Sequence, residues 1–315
     1  MARAASPTIA VLLPCFNEEA GIGATVAGFK AALPGATVYV YDNNSGDRTR
    51  EVAAEAGAVV RTEKQQGKGN VVRRMFADID ADVYVMADGD LTYDPAAAPA
   101  MVDMLLAEQL DMVVGTRRHD EKSAYRGGHV MGNKVFTGLL AGLFGRSFSD
   151  IFSGYRVFSR RFVKSFPVLS AGFEIETEMS VHALELRMPV GEVETVYAAR
   201  PEGSQSKLST FGDGWRILKT IVNLYRVERP VLFYGAIGEL LLLAAFLLAI
   251  PLVRTYLHTG LVPRFPTAIL VTGMVIIAVL CVFAGLILDT VTRGRREVRR
   301  LAYLSLSAPR GSTAQ

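Results

Sequence analysis

The chain has 315 residues, half of them hydrophobic and 21% charged, with a formal net charge of +3 and a mean hydropathy of +0.26. Apolar residues throughout and no repeat period exclude a disordered, collagenous or low-complexity chain, and so small a charge gives no ground to expect nucleic acid. Cys15 and Cys281 lie far apart in apolar runs, which is no disulfide framework and points to a reducing compartment for the N-terminal part.

The first ~120 residues alternate β-branched runs with helical patterns. Thr8–Leu13 is predicted as a strand and Glu18–Leu33 as a helix ended by Pro34-Gly35. A strand at Thr37–Tyr41, a helix at Asp47–Ala56 stopped by Gly57, and a short strand at Ala58–Arg61 follow. Then come a helical stretch Asn70–Ile79, a strand Val83–Ala87, a helix Pro95–Glu108 and a strand Met112–Gly115. This order predicts a mostly parallel α/β sheet covered by helices on both faces, with ligands bound beyond the carboxyl ends of its strands. The run Ile9–Leu13 stops at Pro14, too short for a signal peptide.

The segments after those strands are polar: Pro14-Cys15-Phe16-Asn17-Glu18-Glu19, Asp42-Asn43-Asn44-Ser45-Gly46-Asp47, Gln65-Gln66-Gly67-Lys68-Gly69-Asn70 and Asp88-Gly89-Asp90. Gly21 and Gly23 are only a broken match to a dinucleotide fingerprint, and Gly67-Lys68-Gly69 lacks the spacing and the Ser/Thr of a P-loop. Two carboxylates one residue apart on a turn suit Mg²⁺ or Mn²⁺ bridging a diphosphate, although a solvated acidic turn has the same appearance. Asp42 can accept from a base or ribose hydroxyl. Lys68 can bring a cation and backbone N–H groups to a phosphate, or belong to a plain surface loop. Gathered on one sheet edge, the set describes a nucleotide-diphosphate pocket.

Further on, Phe173-Glu174-Ile175-Glu176-Thr177-Glu178 opens a predicted helix whose acids favour its N-terminal dipole. Residues Trp215–Val227 form a basic amphipathic pattern suited to a lipid headgroup region or to packing on the soluble part. Residues 231–253 carry one charge, Glu239, and 266–288 none. As helices of 23 residues each reaches roughly 35 Å and can cross a bilayer, joined as an antiparallel hairpin by a short connector. Arg226, Arg229, Arg293, Arg295, Arg296, Arg299 and Arg300 on the outer flanks place both termini in the cytoplasm. The four histidines have no metal-ligand spacing.

The order Pro-Cys-Phe-Asn-Glu-Glu, Asp-Asn-Asn-Ser-x-Asp-x-Thr, Gly-Lys-Gly, Asp-Gly-Asp and Ser-Gly-Tyr-Arg resembles the family 2 glycosyltransferases of GT-A fold. More narrowly it is similar to the polyisoprenyl-phosphate glycosyltransferases, which include dolichyl-phosphate mannose synthase and bacterial undecaprenyl-phosphate glucosyltransferases. The resemblance covers residues ~7 to 230, and the two-span hairpin fits its bacterial members. It implies that Pro14, Asn17 and Glu19 line the nucleotide pocket with Asn44 and Gly89, that Asp42 reads base or ribose, and that Lys68 and Asp88 approach the diphosphate. Asp90 is implied as the principal metal ligand beside Asp88, with Thr92 where the family often carries Gln. Arg117 and Arg126 match phosphate-contacting arginines, while Asp150 to Arg156 matches the acceptor-side motif, with Asp150 at the position discussed as a base. Since a lipid phosphate is already mostly dianionic near neutral pH, Asp150 has an alternative role in orienting a hydroxyl or Arg156. Arg200, Ser204 and Lys207 are implied at the acceptor phosphate, and Glu174 and Glu176 at sugar or arginines.

The expected organisation is a catalytic domain over 1–210, a juxtamembrane helix over 211–230, two spans within 231–290 and a basic tail over 291–315. The implied activity is inverting transfer of one hexose from a UDP- or GDP-sugar to polyprenyl phosphate at the cytoplasmic face of the bilayer. Alternatives are another lipid or glycan acceptor, or a non-catalytic nucleotide-sugar-binding membrane protein. The resemblance also allows a dimer or tetramer.

Overall fold

Short runs of Val, Leu, Tyr and Met, buried on both faces, form the middle of a seven-stranded mixed sheet. The computed structural model describes residues 6–118, 138, 142, 148–172, 174–198, 219 and 222–309. These fold as two compact units, one built on the first 198 residues together with the chain from Arg299 onward, the other ending at Val298.

In the first unit β1 (Ile9–Cys15), β2 (Thr37–Asp42), β3 (Val59–Thr62) and β4 (Val83–Met86) pair in parallel. Between them run α1 (Glu19–Ala32), α2 (Thr49–Glu55) and α3 (Lys68–Asp78). The ladder between β1 and β4 ends at Leu12–Met86, so Pro14, which has no N–H to donate, lies beyond it. Along α1, Ile22, Val26 and Phe29 make the apolar stripe that packs on the sheet, and Pro34 follows where the helix stops. These four strands and three helices fall within about two residues of the sequence expectation. The stretch Pro95–Glu108 divides, however, into a 3₁₀ turn Pro95–Ala97, capped by Asp94, and α4 (Ala98–Ala107).

Two strands have no counterpart in the sequence reading. β6 (Arg156–Ser159) inserts antiparallel between β4 and β5 (Met112–Arg118), and β7 (Val190–Val196) adds in parallel to β5, giving the order β3-β2-β1-β4-β6-β5-β7. β6 is four residues long and wholly buried, yet begins on Arg and ends on Ser, so neither alternation nor an apolar run marks it. α5 (Arg160–Ser165) and α6 (Ile175–Glu185) follow it.

The second unit is a helical hairpin. α7 (Pro230–Thr259) and α8 (Phe265–Leu304) extend both predicted spans. They touch through small residues: a Cβ on Gly238 would sit 3.0 Å from the Ala278 carbonyl oxygen, and one on Gly285 would sit 3.3 Å from that of Pro230. Leu240, Phe246, Ile269, Phe283 and Ile287 face outward, so the hairpin is apolar on its exterior. Glu239 is exposed on it. Residues 222–228 are helical, and Glu228 is held by Arg296 at 2.6 Å.

The last residues of α8, from Arg299 onward, belong to the first unit and are tied into it. The Tyr303 hydroxyl donates to the buried Asp111 carboxylate at 2.8 Å, Arg161 pairs with the same carboxylate and stacks over the Tyr303 ring, and Arg299 reaches Glu185 at 2.5 Å. Asp111 immediately precedes β5, so the contact pins the start of that strand. Tyr303→Phe removes one hydrogen bond to a buried charge. The expected cost of about 1.5 kcal/mol lowers the thermal midpoint by roughly 3–6 °C in calorimetry.

His182, on α6 between the Phe162 and Phe166 rings, is 2% exposed and bonds Ser165 through Nε2, while its Nδ1 has no hydrogen-bond partner among the described residues. Burial, assisted by the Arg299 charge, pushes its pKa down to about 3. The unfolded chain therefore takes up a proton below about pH 6.5 that the folded chain refuses, and stability falls as pH drops through that window. His182→Gln, which does not titrate, is expected to remove about 2 kcal/mol of the stability lost between pH 7 and pH 5, measured by denaturant titration at both pH values.

Candidate functional site

The polar segments converge beyond the carboxyl ends of β1, β2 and β4. After β4 the chain turns through Asp88-Gly89-Asp90, with Leu91 at φ 60. The turn is held from behind: a Cβ at Gly89 would run into Cys15 Sγ, and Thr25 Oγ1 donates to the Gly89 carbonyl at 3.4 Å. A Cβ on Gly21 of α1 would stand 3.1 Å from the Asp90 carbonyl carbon. Gly21 thus serves close helix–turn packing, not a phosphate loop. Asp90 is 2% exposed, and its Oδ1 accepts from the Thr92 hydroxyl at 2.6 Å and from the Thr92 N–H at 3.2 Å. Thr92 orients Asp90. Asp88 stays partly open and lies against Gly154, whose Cβ, if present, would be 3.0 Å from Asp88 Oδ2.

Lys68 begins α3 and points at this turn. Its ammonium lies 2.5 Å from Asp88 Oδ1 and 2.5 Å from Glu176 Oε1 of α6. Burial would depress the Lys68 pKa, but the two carboxylates outweigh it and raise it, so the ammonium is charged. The flanking glycines do not cradle a phosphate here. Gly67 sits at φ 125, a Cβ on Gly67 or Gly69 would strike the backbone of Ser170–Ala171, and the Gly69 N–H is spent on the Ala171 carbonyl at 3.1 Å. Glu178 fixes that opposing backbone by accepting from the N–H groups of Leu169 and Ser170, each at 2.8 Å. Interlocked main chains therefore set Lys68 opposite Glu176.

Asn17, Glu19 and Asn44 spend their side chains stitching loops together. Asn17 Oδ1 accepts from Gly46 N–H and Glu19 from Arg48 N–H, both at 2.9 Å, while Asn44 donates to the Lys64 carbonyl. Asn17 and Asn44 both have positive φ, which asparagine tolerates. Asp42 is fully buried; one carboxylate oxygen accepts from Ser45 N–H at 3.1 Å, and the other has no hydrogen-bond partner among the described residues.

On the far side, Arg117 of β5 makes a two-pronged pair with Asp150, at 2.7 and 2.8 Å, and lies over the Tyr197 ring. Burial would raise the Asp150 carboxyl, but the Arg117 hydrogen bonds and charge outweigh it and hold it below the usual carboxylate range. With both oxygens engaged by its guanidinium, Asp150 holds Arg117 in place. Arg156 departs further from its expected role. It is fully buried and donates to the carbonyls of Ile151 and Ser153 and to Ser180, which makes it the support of the Ser-Gly-Tyr-Arg loop. Tyr93, which the sequence reading missed, joins the two sides: its hydroxyl accepts from Gly154 N–H at 2.8 Å, and both the Asp88 and the Arg117 charge act on it. Arg126, Arg200, Ser204 and Lys207 lie outside the described residues.

Residues 10–166 match the family model described as glycosyl transferase family 2. Glycosyltransferase AglJ of Haloferax volcanii is 34% identical over 73% of this chain and 76% of its own length. The chain belongs to glycosyl transferase family 2. A dolichyl-phosphate hexose transferase of the same archaeon is 28% identical over 70% of this chain and 95% of its own. Among solved structures, glucosyl-3-phosphoglycerate synthase of Mycobacterium tuberculosis, bound to Mn²⁺, UDP and glucosyl-3-phosphoglycerate, superposes with a TM-score of 0.59 at 24% identity, covering 70% of this chain and 80% of that one. That likeness bears on the fold, which is of GT-A type.

The glucosyl-3-phosphoglycerate synthase binds Mn²⁺ together with UDP, and the acidic turn of this chain can be set against the needs of such an ion. Among the described residues no group of three or more His, Cys, Asp or Glu side chains converges as a metal cage. Asp88 and Asp90 are two hard oxygen donors, the number with which Mg²⁺ is commonly held when substrate phosphates and water complete its shell. The donor set therefore fits an ion whose shell water completes and a diphosphate can enter.

Proposed function

We propose that this family 2 transferase moves one hexose, with inversion, from a UDP- or GDP-sugar to polyprenyl phosphate at a membrane surface. The reading rests chiefly on one observation: the Lys68–Asp88 pair at the acidic turn, the Arg117–Asp150 pair and an outward-apolar two-helix hairpin occur in one chain. The relative named as a dolichyl-phosphate hexose transferase supports the acceptor class. The unpartnered buried oxygen of Asp42 suits an N–H donor from a nucleobase, and both uracil and guanine offer one.

Asp88 and Asp90 would hold Mg²⁺ or Mn²⁺, whose contribution is to offset the charge on the departing diphosphate. Thr92 keeps the Asp90 carboxylate oriented, and Lys68 supplies a fixed positive charge beside Asp88. Asp150 holds Arg117 extended as a cation on the acceptor side. The lipid phosphate attacks the anomeric carbon as a dianion, so no side chain has to remove a proton. A single displacement inverts the anomeric centre. Cytoplasmic termini follow from the arginines flanking the spans.

Purified full-length protein, incubated with polyprenyl phosphate, Mg²⁺ or Mn²⁺ and a panel of radiolabelled UDP- and GDP-sugars, is expected to move label from one donor into the lipid phase. Label confined to the aqueous phase with every donor rejects the lipid acceptor.

A further inference from the structure

The Lys68 ammonium is shared between two carboxylates of different standing. Asp88 faces the pocket with its side chain 31% exposed, whereas Glu176 is enclosed with its side chain 7% exposed and belongs to a different element. The glycine-to-backbone interlock at Ser170–Ala171 fixes the two sides relative to each other, so Lys68 has little freedom to leave either partner. A single positive charge must then serve two negative ones. How much of it Asp88 receives depends on how strongly Glu176 competes for it.

We propose that Glu176 is a positioning residue for the donor pocket: by drawing the Lys68 ammonium toward itself, it keeps Asp88 available to a divalent cation. The inference rests on the reading of Asp88 and Asp90 as the metal-holding pair. With Glu176 neutral, Lys68 belongs to Asp88 alone and competes with the incoming ion. With Lys68 neutral, Asp88 and Glu176 are both uncompensated and the ion is drawn in more strongly. The two single substitutions therefore act in opposite directions on metal binding, which loss of packing alone would not produce.

The test is binding of Mn²⁺ alone, without nucleotide, to the full chain in detergent micelles, read from the free-ion signal in electron paramagnetic resonance. Glu176→Gln is expected to weaken Mn²⁺ binding by about fivefold or more, and Lys68→Met to tighten it by a similar factor, as expected for a nearby charge at intermediate dielectric. The double variant removes both buried charges together and does not depend on tolerating an unpaired one; it is expected to bind Mn²⁺ at least about tenfold more tightly than Glu176→Gln. Asp90→Asn serves as the reference. Should it bind Mn²⁺ like the parent, the metal-pair reading itself falls. If it loses Mn²⁺ while the two single variants shift together or not at all, or while the double variant binds no better than Glu176→Gln, the role of Glu176 is overturned and the metal pair stands.

Discussion

Asp90→Asn is expected to reduce sugar transfer by about a thousandfold or more, equivalent to roughly 4 kcal/mol of transition-state stabilisation. The substitution is nearly isosteric. An amide oxygen at the Oδ1 position still accepts from the Thr92 N–H and hydroxyl, so these contacts of the turn are kept while the negative charge is lost. That separates chemistry from folding: the thermal midpoint should move little while turnover collapses. Because Asp88 is already committed in part to Lys68, it is a poor substitute for the missing charge. The check is initial-rate transfer at saturating Mn²⁺ alongside calorimetry. Activity within tenfold of the parent would remove Asp90 from the metal-holding role.

Arg156→Met is expected to behave in the opposite way. The guanidinium holds two carbonyls and the Ser180 hydroxyl, and Glu176 and Asp150 both act on its charge while burial pushes its pKa down to about 10. Methionine fills much of the volume but leaves those acceptors without donors in a site closed to water. The expected loss is on the order of 3 kcal/mol or more, which lowers the thermal midpoint of the catalytic unit by roughly 6–12 °C. Were Arg156 instead a ligand for phosphate, transfer would fall with the thermal midpoint unchanged. Measuring both on one preparation decides between the two roles.

The first four strands and the helices between them are legible because each is a local pattern: a β-branched run, an apolar stripe with helical period, a stop at Pro34 or Gly57. The candidate pocket is legible for the same reason, since polar residues after strands of a parallel sheet must gather on one edge. The acidic turn and Lys68 meet there. The spans are legible because nearly every residue in them is apolar.

What each polar residue does at that edge is a tertiary matter. Asn17, Glu19 and Asn44 have the chemistry to bind a nucleotide, yet their hydrogen bonds go to backbone N–H and carbonyl groups of neighbouring loops that the fold brings within reach. Gly67 and Gly69 have the look of a phosphate loop, yet they are small because another main chain lies across them. Strand β6 has no pattern of its own and forms because β4 and β5 leave a slot with unpaired backbone groups between them. The arginines after the second span read as a basic flank, while Arg299 and Tyr303 find their partners on α6 and before β5, more than a hundred residues earlier. Periodicity and composition are properties of neighbouring residues and carry the fold class, the two long apolar helices and the sheet edge where the polar segments gather. The partner of a charge is fixed only when distant segments are brought within about 3 Å of one another, and that distance exists only in the folded chain.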